Sequence, residues 1–315
     1  MNTKFKTDVF EGLSKSPKTL SSKYFYDEIG DKLFVKIMSL PEYYLTRAEY
    51  EIFDTKSEDI IEKLKLNTLD TIDIIELGAG DGKKTKAFLK VLLAENYKFR
   101  YVPIDISQHA LNALGASLKT EFLDLEIEIK QGEYFGVLED IKTNKAQKVI
   151  MFLGSNLGNL DDEAAQDFLV KLSNALRVGD KIILGLDLMK SKEIVLPAYN
   201  DSQGVTKAFN LNLLHRINRE LHADFDISNF GHAPEYDEKT GIARSFLVSK
   251  KDQKVCFNGD KACYAFLKDE KIQTETSRKY NDAILQSFLQ HTNLIQTSKI
   301  SDSNNYFNSY ILERI

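Results

Sequence analysis

The residues of this chain best suited to chemistry form a run of alternating glycines behind an acid, Glu76-Leu77-Gly78-Ala79-Gly80-Asp81-Gly82, with a second acid, Asp105, downstream. Glycine reaches left-handed backbone conformations that other residues avoid, and its missing side chain lets a ligand lie against the main chain. The run sits where a β-branched stretch, TIDIIELGAG (71–80), gives way to a helical pattern, KKTKAFLKVLLAEN (83–96). In an open parallel sheet that is where ligands bind, beyond the carboxyl ends of the strands. Asp105 closes the next extended stretch, placed to accept protons from both hydroxyls of a ribose, and its charge disfavours a phosphorylated one. The dinucleotide fingerprint G-x-G-x-x-G needs a third glycine where Lys83 stands, which weakens a nicotinamide-dinucleotide reading. The same residues also suit a tight turn that binds nothing.

Positioning such a turn requires a sheet, and the chain supplies its elements. RYVPIDIS (100–107) reads as a second strand, LEIEIKQGEYF (125–135) as a third, KVIMFLGSN (148–156) as a fourth and GDKIILGLDL (179–188) as a fifth. Helices fill the gaps at 108–118 and from Asp161 to about Arg177, with Asp161 as N-cap and Gly179 as the stop. Strands alternating with single helices predict a parallel, doubly wound α/β sheet. The pattern breaks over 189–279, where Phe209, Leu213, Ile217 and Leu221 recur at helical spacing and are followed by extended segments at 243–257 and 270–280. That predicts an inserted lobe with a small antiparallel sheet. The tail offers a helix at 281–291 and two extended runs that complete the large sheet. The division predicted is 55–188 with 280–315 as the core, and a tyrosine-rich 1–54 with 189–279 as the lobe.

Composition narrows the function. The chain has 315 residues and 42 basic against 47 acidic side chains, a net charge of −5. An acidic protein argues against a nucleic-acid partner, whose binding begins with a basic surface. The apolar runs are too short to span a bilayer, and the start, MNTKFKTDVFEG, lacks the apolar segment of a signal peptide. A cytoplasmic location and no membrane partner are expected. The five histidines (109, 215, 222, 232 and 291) show no metal-binding spacing, and Cys256 and Cys263 stand outside any His/Cys cluster. No metal is expected, and the cysteines read as packing residues in a reducing compartment.

With the glycine turn placed, further blocks become recognisable. The E-x-G-x-G-x-G form resembles the first motif of S-adenosylmethionine-dependent methyltransferases. YFYDEIGDKLF (24–34), LPEYYLTRAEYEIF (40–53), FLGSNLGNL (152–160), LPAYNDSQGVTKAFN (196–210), INRELHADFD (217–226) and ETSRKY (275–280) follow in order. Together they resemble the histidine-specific Nα-methyltransferase family, whose best-known members make trimethylated histidine (hercynine) on the way to ergothioneine. The resemblance spans nearly the whole chain. It implies a class I S-adenosylmethionine-methyltransferase fold, α/β with a doubly wound sheet, and a second α+β lobe that binds substrate.

It also implies S-adenosyl-L-methionine as cofactor, leaving as S-adenosyl-L-homocysteine, and a monomer acting on a small-molecule amino-acid substrate. The cofactor site implied is Tyr26, Gly78, Lys84 and Asp105, with Glu133 and Tyr134 near the adenine; Glu76 and Gly80 join it from the turn itself. The amino-acid site implied is Tyr43, Asn159, Tyr199, Glu275 and Ser277. In the family the asparagine and the inserted tyrosine hold the substrate carboxylate, the LPEYY tyrosine lies by the α-amine, and the glutamate and serine grip the imidazole.

Two positions depart from the family pattern. Gly132-Glu133-Tyr134 replaces the usual G-D-F, a conservative change for an acid that accepts from an adenine amine. Ser245 stands where histidine-specific members carry methionine beside the imidazole, so a smaller, polar residue enlarges or re-polarises the pocket. Methyl transfer from a sulfonium is an in-line displacement, so the enzyme must position a neutral amine. Tyr43 is the residue expected to do so, without a strong base. The alternatives are a related enzyme for another aromatic amino acid or a tryptophan-derived metabolite, and a non-catalytic cofactor or metabolite sensor.

Overall fold

The computed structural model describes residues 3–123, 125–141, 145–260 and 262–315. The chain divides into two compact units, Met1–Tyr44 with Lys190–Ser277, and Leu45–Met189 with Arg278–Ile315.

The second of these units is built on one large sheet. Its main strands are β1 (Thr71–Leu77), β2 (Lys98–Asp105), β3 (Gln147–Phe152), β4 (Lys181–Asp187), β5 (Leu294–Ser301) and β6 (Phe307–Arg314). They lie in the order β5-β6-β4-β3-β1-β2, with β1 to β4 mutually parallel and β6 antiparallel to both β4 and β5. This is the doubly wound α/β sheet expected, and the two tail runs do complete it. β1 is buried at every residue except Thr71, as a central strand covered on both faces requires. Alternation along the strands feeds two cores. Ile75, Leu77, Val102 and Ile150 pack with the helix Asp162–Ala175, while Ile72, Ile74, Val149 and Met151 pack with the helix Lys83–Ala94. Asp161 caps its helix by accepting from the Ala164 N–H at 2.8 Å.

Two expectations differ in this unit. The stretch 125–135 forms only the two-residue pieces Glu126–Ile127 and Lys130–Gln131 along β2, and a helix begins at Tyr134. Tyr134, Val137 and Leu138, at i, i+3 and i+4, pack on the same core at helical spacing, which ends the extended run. The helix Tyr44–Thr55 also lies almost wholly in this unit, because Ala48, Ile52 and Phe53 bury with Ile60, Ile61 and Ile72. The first division therefore falls at 44/45, ten residues before the 54/55 read from composition.

The other unit has its own core, with Phe5, Val9, Leu213, Ile217, Phe230, Leu247 and Phe266 among its members. Its sheet runs Lys18–Thr19, Lys271–Arg278, Ile242–Ser249, Phe230–Asp237. The last two strands are antiparallel, but Lys18–Thr19 joins parallel, so the sheet is mixed rather than antiparallel throughout. The helix Val205–Leu221 buries Phe209, Leu213, Ile217 and Leu221 on one side, as their spacing predicted. Its start is fixed by Asp201, whose carboxylate accepts from the Val205 and Thr206 N–H groups at 2.9 and 2.7 Å.

The segment 243–257 is two strands, not one, with Gln253–Phe257 pairing antiparallel to Ala262–Phe266. That register sets Cys256 directly opposite Cys263, and the two are joined by a disulfide. The reading of two unpaired packing thiols is corrected accordingly. No helix among the described residues is long and apolar enough to cross a membrane.

Candidate functional site

In the sheet unit, the turn after β1 is shaped by its glycines. Gly78, Gly80 and Gly82 have φ of +74°, +54° and +64°, where a side chain would be strained. Gly82 then caps the helix Lys83–Ala94. A Cβ on Gly80 would meet no atom within 4 Å, so this part of the turn faces open space. On Gly78 it would meet the Tyr134 hydroxyl at 2.8 Å, which places that ring against the turn. Burial, then the Asp105 and Glu76 carboxylates, push the Tyr134 phenol up to about 12. Asp105 ends β2, where Oδ1 accepts from the Ser107 N–H at 2.9 Å and Oδ2 lies 3.5 Å from the Gly80 nitrogen. Those light contacts leave the carboxylate able to accept from a vicinal diol. A turn that is open at Gly80 and an acid at the end of the next strand fit an adenosyl group. Glu133 is exposed at the head of the helix Tyr134–Ile141.

Two predicted cofactor residues are engaged within the protein. Glu76 is only 3% exposed and accepts from the Thr85 hydroxyl at 2.7 Å and from the Tyr101 hydroxyl. Burial pushes its carboxyl up to about 7. Its geometry is that of an inner brace for the turn. Lys84 forms an ion pair with Glu49, and the same buried carboxylate accepts from the Gly154 N–H at 2.8 Å. Glu49 thus ties the TRAE block to both the glycine turn and the FLGS turn, a role its place in a helical run did not announce. Asn159 is exposed at the end of the short 3-10 turn Asn156–Asn159 that follows β3.

In the other unit a pocket of about 390 Å³, its open mouth included, is walled by Phe25, Phe34, Tyr43 and Phe209, with Tyr199, Asn210, His232, Ser245 and Glu275 as its polar lining. That size suits a small molecule. It gathers Tyr43, Tyr199, Ser245 and Glu275 from four separate segments. Ser245 is 3% exposed and its Oγ donates to Glu275 Oε2 at 3.0 Å. The Tyr199 hydroxyl donates to Ser277 Oγ at 2.7 Å, which brings the sixth block's serine to the same place. Tyr26 belongs to this unit, its ring edge-on to Phe34 and Phe209 at 5.5 and 5.7 Å. Although nearly half of the residue is exposed, the surrounding protein and then the Glu275 carboxylate hold its phenol well above the ordinary value.

Sequence reasoning missed Asn210 and His232. His232 Nδ1 lies 2.8 Å from Asn210 Nδ2, and Nε2 lies 2.7 Å from the Tyr199 carbonyl. Burial lowers the His232 pKa. The available signal was an asparagine directly after Phe209 on a helix whose apolar stripe is buried.

Comparison with known proteins finds relatives over nearly the whole chain. A family model described as histidine-specific methyltransferase, SAM-dependent, matches residues 5–314. The chain is 36% identical over 273 residues to the histidine N-alpha-methyltransferase of Mycobacterium tuberculosis (strain CDC 1551 / Oshkosh), covering 87% of this chain and 83% of that protein. It is 35% identical over 290 residues to the histidine N-alpha-methyltransferase of Mycolicibacterium smegmatis, covering 92% and 88%. Among solved structures it is similar in fold to the mitomycin 7-O-methyltransferase MmcR, at 11% identity and a TM-score of 0.51, covering 99% of this chain and 68% of that one.

Proposed function

The chain belongs to the histidine-specific, S-adenosylmethionine-dependent methyltransferase family, and on that premise we propose that it methylates the α-amine of a free amino acid, L-histidine first. The observation that carries the reading is the pocket in which the Ser245–Glu275 pair faces an aromatic wall with Tyr43 and Tyr199. Glu275 accepts a ring N–H of the substrate, and Ser277, held by the Tyr199 hydroxyl, serves the same ring. The Tyr199 hydroxyl, once turned from Ser277 toward the ligand, donates to the substrate carboxylate. Asp105 and the glycine turn hold the adenosyl group, with Tyr134 and Glu133 toward its base.

S-adenosylmethionine, held by Asp105 and the glycine turn, would supply an electrophilic methyl carbon to the amine's lone pair, with its cationic sulfur as the group that keeps the C–S electrons. Tyr43 orients that amine in its neutral form, and the amine's proton leaves to water. Ser245 also favours a second reading, a larger aromatic side chain in a pocket that lacks methionine's bulk.

The test is to incubate the purified protein with S-adenosylmethionine and the twenty amino acids and to read product masses. Histidine carrying up to three methyl increments is the expected result. Methylation of another aromatic amino acid instead selects the second reading. No methylated amino acid, with cofactor bound, overturns both.

A further inference from the structure

Asn210 is 2% exposed, lines the substrate pocket, and keeps a side-chain oxygen that no protein group meets. The orientation of its amide is fixed by its neighbours. Nδ2 lies 3.2 Å from the Phe246 carbonyl and 2.8 Å from His232 Nδ1. A carbonyl only accepts, so the atom facing it is the amide nitrogen; the flipped amide would set two oxygens against each other. With Nδ2 donating, His232 Nδ1 is bare, and the ring's proton sits on Nε2, where it donates to the Tyr199 carbonyl at 2.7 Å. The lowered pKa of His232 agrees with a neutral ring. His232 is therefore satisfied at both nitrogens, and Asn210 Oδ1 is what remains.

A buried amide oxygen without a donor is costly, and here the pocket is where a donor can come from. The position of that oxygen says which part of a ligand brings it. Phe246 adjoins Ser245, whose hydroxyl is engaged on Glu275. Asn210 thus bonds the same strand, Ile242–Ser249, that presents the Ser245–Glu275 pair. We propose that Asn210 is a specificity-determining residue whose Oδ1 accepts one N–H of the substrate's side-chain ring while Glu275 accepts the other, the ring being bound as imidazolium with two N–H donors. The inference rests on the amino-acid reading above. A nitrogen ring brings its own donors to this corner, whereas a ring without N–H leaves Oδ1 unpaired.

Binding of L-histidine and of β-(2-thienyl)-L-alanine, a similar-sized ring without N–H, is measured by titration calorimetry with S-adenosylhomocysteine present. The proteins are wild type, Asn210→Leu and Asn210→Asp. The leucine variant is expected to weaken histidine about 10- to 100-fold and the thienyl analogue less than about 3-fold. Asn210→Asp, which keeps an acceptor, is expected to retain the preference for histidine. Equal weakening of both ligands would mean that Asn210 only holds the pocket's shape through His232, and overturns the inference alone. Loss of the preference in the aspartate variant overturns it as well. Wild type that binds neither ligand overturns the functional reading and the inference with it. Asn210→Ala, which adds no bulk, repeats the comparison if the leucine variant does not fold.

Discussion

The two units carry their chemistry in different materials. In the sheet unit it lies in backbone shape: three glycines at positive φ and one acid at the end of the neighbouring strand, all within thirty residues of chain. In the lobe it lies in side chains that Tyr43, Tyr199, Asn210, His232, Ser245 and Glu275 bring from separate segments. Particular buried groups show the same contrast. In the sheet unit Lys279 and Asp187 answer each other at 2.7 Å, and Glu76 is answered by Thr85 and Tyr101. In the wall of the lobe's pocket, Asn210 Oδ1 is a buried acceptor that no protein group meets.

The sharpest way to break that contrast is to open a closed pair. Lys279 and Asp187 are both fully buried. Lys279→Met leaves the Asp187 carboxylate without a countercharge, and removing one partner of a buried pair destabilises by about 3–5 kcal/mol. Denaturant unfolding should show that loss, and adding Asp187→Leu should recover part of it. A loss below about 1 kcal/mol would mean that the pair is not closed as described.

The next largest effect concerns Glu76, and its sign follows from where the proton is held. The carboxyl is pushed from its ordinary 4.5 up to about 7 in the folded chain. The folded state therefore holds the proton more tightly than the unfolded state. The associated stability is full below the unfolded value, declines as pH rises, and is gone above about 7. Glu76→Gln has no such proton to lose. Between pH 5 and pH 8 the wild type should lose about 2–3 kcal/mol relative to the variant, read by unfolding at each pH. A pH-independent difference would mean that Glu76 is ionised and solvated, hence open to the crevice after all.

What could be read from the sequence divides along the same line. The turn from Glu76 to Gly82 and the acid at Asp105 were legible because a backbone-shaped site is written in consecutive residues, and the strand periodicity around it is local. The break at 44/45 was not, because tyrosine content says nothing about which core a helix enters; Ala48, Ile52 and Phe53 decide that by packing. Cys256 and Cys263 looked like unpaired packing residues until strand pairing set them opposite each other. Tyr43, Tyr199, Ser245, Glu275 and Ser277 came only through resemblance, since no spacing predicts that distant segments will meet. Asn210 and His232 carried no such flag. Their meaning lies in which atom faces which, and only the folded lobe supplies that.

The smallest expected effect tests whether Ser245 serves its neighbour or the substrate. Its Oγ donates to Glu275 Oε2 at 3.0 Å, inside a pocket where Glu275 is the charged acceptor. Ser245→Ala removes one hydrogen bond to a carboxylate and little volume, a change worth about 1–2 kcal/mol. If the hydroxyl orients Glu275, kcat/KM for histidine should fall about 5- to 30-fold, mostly through KM, while a ring without N–H is hardly affected. A rise for histidine would reverse the reading: the serine would then compete with the substrate for the carboxylate. The serine would then be a polar group answered within the protein before the ligand arrives, as the pairs of the sheet unit are. A fall confined to nitrogen rings keeps the contrast, because the serine then acts only by aiming an acceptor that the substrate completes.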